Sequence, residues 1–239
     1  KLSKHIDKLK DSQSSEEIYF ESAKTINLYN FKEIVDYSFL NEFPNVNNIT
    51  LASKVIQSLD PVFEREALTH LTLINMQTNY EELSRLKKFP MLKYLNLTNT
   101  KIKNISVLKN LYLEQLVLNN TIVDNLTPLQ NMKSLQSLSI QGTQVRSLAP
   151  LKNLSLSYIE FDPRKFSFED MSYLNEMKTL QKIKVPNEAV MTKTQFWNKY
   201  MNEGYGSIDS DLKEASVYRE ELIQEIQSYN ADFKNRKGF

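Results

Sequence analysis

At 239 residues the chain has the size of one large domain or two small ones, and with 41% apolar and 25% charged residues it carries too much hydrophobe for a disordered polymer. Thirty basic against 29 acidic side chains leave a net charge of +1, which excludes the strongly basic signature of a nucleic-acid or anionic-membrane binder. The absence of cysteine excludes a disulfide framework, a thiolate zinc site and a cysteine nucleophile, and four glycines leave little room for phosphate-cradling loops.

The first residues, Lys1-Leu-Ser-Lys-His5, contain neither an initiator methionine nor an apolar signal core, as expected of a processed secreted protein or of a domain excised from a longer one. Leu2, Ile6 and Leu9 fall at i, i+4 and i+7 and predict one apolar face of a short helix, within an N-terminal cap over residues 1–22. Ser14 or Ser15 before Glu16-Glu17 marks a new start. A repeat then takes over. The pattern L-x-x-L-x-L, with other aliphatics allowed, begins at Val46, Leu68, Leu92, Leu113, Leu135, Leu156 and Leu180, at spacings of 22, 24, 21, 22, 21 and 24 residues. A degenerate copy at Ala23, Ile26 and Leu28 precedes them, giving about eight units over residues 23–186.

Each unit has a second half. Asn99-Thr100 is followed by Ile102, Ile105 and Leu108; Asn120-Thr121 by Val123, Leu126 and Leu129; Gly142-Thr143 by Val145, Leu148 and Leu151. Such triplet-spaced hydrophobes predict a 3₁₀ or short helical return, because a period this short leaves no room for a long helix. In each unit a two-spaced pair such as Leu95 and Leu97 points inward from a short strand, and the return supplies the opposite wall. One unit cannot close a core alone, so the chain is expected to be an α/β solenoid stabilised by stacking.

Beyond the repeats, residues 187–239 read as a C-terminal cap. Phe196, Trp197 and Tyr200 cluster on a short helix, where burial against the last repeat is the expected role. A linker from Asn202 to Asp209 leads to an amphipathic pattern from Asp211 to Phe233, with Asp211-x-x-Glu214 as a capping-box start. That helix is expected to fold back on a monomer, dimerisation through it being the alternative.

The repeat residues resemble leucine-rich repeats of the short bacterial type, as in internalins. The stretch from Gly142 to Leu156 is more closely similar to units of leucine-rich regions attached to planctomycete-type serine/threonine kinases, with Ser147 and Asn153-Leu154 as departures. Met171 to Leu180 and Gln195 to Tyr200 are similar to the terminal segment of those regions, so the resemblance covers roughly residues 90–205. It implies a horseshoe or arc with a parallel concave sheet, and an extracytoplasmic interaction or sensor domain of a larger membrane receptor. The kinase signatures themselves do not occur in this sequence.

Catalytic groups are scarce. His5 and His70 are the only histidines, no zinc, calcium, P-loop or nucleophile-elbow motif occurs, and the pairs Glu16-Glu17, Glu81-Glu82 and Glu220-Glu221 read as solvated charge. No catalytic, cofactor or metal site is expected. The concave strand positions offer instead a mostly neutral polar face, because side chains alternate along a strand. Its candidate contact residues are His70, Thr72 and Ile74; Tyr94 and Asn96; Gln115; Tyr158, Glu160 and Asp162; and Lys182 and Lys184. His70 and Tyr94, with Ile74 near them, form the best cluster, while the charged group is expected to pair across strands. The sequence therefore predicts a non-catalytic module whose partner is a protein or peptide and not a nucleic acid, with no membrane-spanning segment in this chain.

Overall fold

The computed structural model describes residues 23–29, 37–52, 59–76 and 83–203. The N-terminal cap and the amphipathic segment Asp211–Phe233 lie outside these residues, as do His5 and the three glutamate pairs.

Short strands form where the repeat pattern places them: β1 (Thr25–Leu28), β2 (Asn48–Ala52), β3 (His70–Ile74), β4 (Tyr94–Asn96), β5 (Gln115–Val117), β6 (Ser137–Ser139), β7 (Tyr158–Glu160) and β8 (Lys182–Lys184). Each pairs with the next in parallel and in constant register, so that Leu71, Leu95, Leu116, Leu138, Ile159 and Ile183 form one continuous inward row. All six side chains are fully buried. At about 1.5–3 kcal/mol for each buried aliphatic side chain, this row and its neighbour through Leu97, Leu118, Ile140 and Phe161 hold the sheet against the return segments.

The chain leaves successive strands in the same way. Asn75, Asn99 and Asn120 take left-handed backbone angles near φ +57°, and Gly142 takes φ +73° at the equivalent point. Asparagine and glycine tolerate this region better than other residues. The threonine that follows is buried: the hydroxyls of Thr100, Thr121 and Thr143 donate to the carbonyls of Leu97, Leu118 and Ile140 at 2.7–2.8 Å. Returns are then 3₁₀ turns, at Ser106–Asn110, Thr127–Leu129 and Ala149–Leu151, as the triplet spacing predicts. An earlier return contains a single-turn helix, α1 (Asp60–Phe63), with proline in its first turn.

The unit that begins at Leu156 is built differently. Its return is α2 (Phe168–Glu176), whose first turn is capped by Ser167. After β8 the chain reverses into β9 (Met191–Thr192), which runs antiparallel to β8 and, among the described residues, is the one departure from the expected all-parallel sheet. Thr192 then caps α3 (Lys193–Glu203) reciprocally: the Gln195 amide oxygen accepts from the Thr192 N–H at 2.9 Å, and the Thr192 hydroxyl accepts from the Gln195 N–H at 3.2 Å. The α3 face carrying Phe196, Trp197 and Tyr200 is buried against Phe161, with ring centroids of neighbouring pairs 5.1–6.0 Å apart.

Candidate functional site

The register lines up the outward side chains of the sheet in columns. One column runs His70, Tyr94, Gln115, Ser137, Tyr158, Lys182, and a second runs Thr72, Asn96, Val117, Ser139, Glu160, Lys184. At one end the His70 and Tyr94 rings stack with centroids 5.7 Å apart and planes within 24°. A hydrogen-bonded chain orients the aromatic pair. The Asn96 amide nitrogen donates to the Tyr94 hydroxyl at 3.3 Å, and its oxygen accepts from the Thr98 hydroxyl and N–H at 2.6 and 3.0 Å. His70 Nδ1 lies 2.9 Å from the Thr69 hydroxyl, which also reaches the Asn47 carbonyl at 3.0 Å.

The other end holds the charges. Glu160 is 9% exposed. One of its oxygens accepts from the Asn119 amide at 3.1 Å, and the other lies 3.5 Å from Lys184. Asn119 is fixed in turn, its oxygen accepting from the Gln141 N–H at 2.8 Å. Asp162 is held by Arg164, whose guanidinium donates to both carboxylate oxygens at 2.8 and 2.9 Å and whose N–H adds a third bond at 3.2 Å. The Arg164 hydrogen bonds outweigh the partial desolvation and hold the Asp162 carboxyl below its ordinary range. Burial, and secondarily the Glu160 charge, push the Tyr158 phenol up, so it stays an O–H donor. Lys182 is exposed, in register with Tyr158 on one side and Thr192 on the other.

Several expected positions are corrected by this geometry. Thr72 is only 8% exposed and, like Ser139 at 5%, forms part of the floor of the face. Ile74 lies four residues beyond His70 on β3, about 13 Å along the strand, and so does not join the aromatic pair. Asp162 pairs with Arg164 within its own turn and not across strands; an aspartate directly before Pro163 and Arg164 is the sequence signal for such a local cap. The Glu160–Lys184 pair does bridge strands as expected. Thr98 and Asn119 are outward-facing positions of the same sheet that do not stand among the candidate contacts; they buttress the two ends through neighbours 2 and 41 residues away, which strand alternation alone does not reveal.

Among the described residues no group of three or more His, Asp or Glu side chains could hold a metal ion, and no helix is long and apolar enough to cross a membrane. The arrangement can offer stacking surface, hydrogen bonds and one ammonium group. No protein-family model matches the sequence, and no curated protein matches it. Solved structures do match. An internalin from Listeria monocytogenes superposes with a TM-score of 0.61 at 22% identity, covering 81% of this chain and 57% of its own. An internalin C2 from the same organism gives 0.59 at 24% identity, covering 72% and 77% respectively. The chain thus spans little more than half the length of the first of these proteins. At these identities the likeness shows the fold, an internalin-like leucine-rich-repeat solenoid.

Proposed function

We propose that the chain is a non-catalytic module that binds a protein or peptide through its concave sheet. The observation that carries this reading is the His70–Tyr94 stack, a pre-oriented aromatic pair on a rigid face. Aromatic anchors of this kind concentrate binding energy because little conformational entropy is lost when a partner settles on them. A phage-displayed random peptide library panned on the 239-residue chain tests it. Clones recovered on the wild type should bind the H70A/Y94A double variant at least tenfold more weakly, about 1.4 kcal/mol. Equal binding by the two proteins would remove the concave face from the reading.

A second reading makes the module an extracytoplasmic sensor region of a larger membrane receptor kinase, with residues 1–22 and 187–239 as caps on repeats 23–186. Its support is the likeness of Gly142–Leu156 to repeats that accompany such kinases. The sequence of the full gene decides it. An open reading frame with neither membrane span nor kinase would eliminate the receptor and leave the binding module standing.

A further inference from the structure

The charges on the concave face are unevenly satisfied, and this narrows the chemistry of a partner. Both carboxylates there are engaged: Glu160 by Lys184 and Asn119, Asp162 by Arg164. Lys182 makes no ion pair among the described residues. It stands on β8 directly beside Tyr158 of β7, whose phenol keeps its proton. Adjacent parallel strands lie about 4.8 Å apart, so an ammonium and a hydroxyl donor are presented side by side. A carboxylate accepts well from two such donors, and a charged acceptor roughly doubles the strength of each bond. Another cation would meet Lys182 with no unpaired acid on the face, among the described residues, to screen it.

Resting on the proposed binding role of the concave face, we infer that the partner is an extended peptide segment carrying an aspartate or glutamate side chain that docks between Lys182 and Tyr158. The segment also places an apolar or aromatic side chain on the His70–Tyr94 stack. Four strand spacings separate Tyr94 from Lys182, about 19 Å, which an extended chain at about 3.3 Å per residue crosses in roughly six residues. Gln115 and Ser137 floor the interval between the two ends with neutral polar groups.

The peptide selection described above carries the test, read by sequencing the clones that depend on His70 and Tyr94. They should be enriched in Asp and Glu about six positions from an apolar residue. Panning on K182E should invert the preference, depleting Asp and Glu and enriching Lys and Arg, while circular dichroism confirms an unchanged fold. For a synthetic version of the most abundant clone, fluorescence anisotropy should show about fivefold to tenfold weaker binding to K182A and a smaller loss with Y158F. Raising the salt from about 50 to 500 mM should weaken binding to wild type and leave K182A nearly unaffected. Clones that need His70 and Tyr94 but show no acidic preference, or a preference that K182E does not alter, would overturn this inference and leave the binding role intact. Clones indifferent to the double variant would overturn both.

Discussion

At the scale of single residues, the left-handed turn after each strand sets the tightest constraint. Gly142 sits at φ +73°, and a Cβ there would fall on the Asn120 side-chain oxygen and come within 3.3 Å of the Asn120 Cα. Gly142→Ala should therefore cost about 1–3 kcal/mol, seen as a lower urea midpoint with an unchanged denaturant slope. Asp162 gives a pH-dependent counterpart. Its folded pKa is depressed below the ordinary 3.8, so its stabilisation is present above about pH 4 and is lost as pH falls through the folded value. Arg164 is well exposed, which limits the pair to at most about 1 kcal/mol. The stability difference between wild type and D162N should accordingly be small at pH 6 and shrink further between pH 4 and pH 2, as followed by urea titration. Inward residues such as Leu95 and Leu116 were legible in the sequence because their spacing alone fixes their side of the strand. The partner of Asp162 was not legible in this way, because a cross-strand lysine and a local arginine compete for it and only backbone geometry decides between them.

Among the elements, α2 shows how an irregular return is tied to a regular one. The Asp170 carboxylate is buried and accepts from the Leu148 N–H at 2.6 Å, from the Ser147 hydroxyl at 3.0 Å and from the Ser167 hydroxyl at 2.8 Å. An aspartate at position 147 would set two carboxylates against each other, whereas the Ser147 hydroxyl donates to Asp170. Asp170→Ala leaves buried donors unpaired and should destabilise by about 2–4 kcal/mol, whereas Ser147→Ala should cost about 1 kcal/mol; thermal melts of the two variants check the order. Lys193 makes a similar link at the other end of α2, its ammonium donating to the carbonyls of Asn175 and Met177. Repeats and 3₁₀ returns could be read from periodicity, since each recurs about every 22 residues. The short β9 could not, because two residues carry no period and their strand exists only through pairing with β8.

For the whole molecule, stability is a sum of neighbouring contacts, so damage stays local. Trp197 is 3% exposed at the C-terminal end, and Trp197→Ala should cost about 3–5 kcal/mol there. Hydrogen exchange should then show β8, β9 and α3 losing protection while β4 to β6 keep theirs; uniform loss along the sheet would mean a single cooperative unit instead. The reversed direction of β9 carries a further consequence. A stack of parallel strands in constant register is a one-dimensional lattice, and its open end is a template on which the first strand of another molecule could continue the series into a filament. β9 occupies that edge with two residues running the opposite way, so a further parallel strand cannot add to β8 at Lys182 and Ile183 in the register of the series.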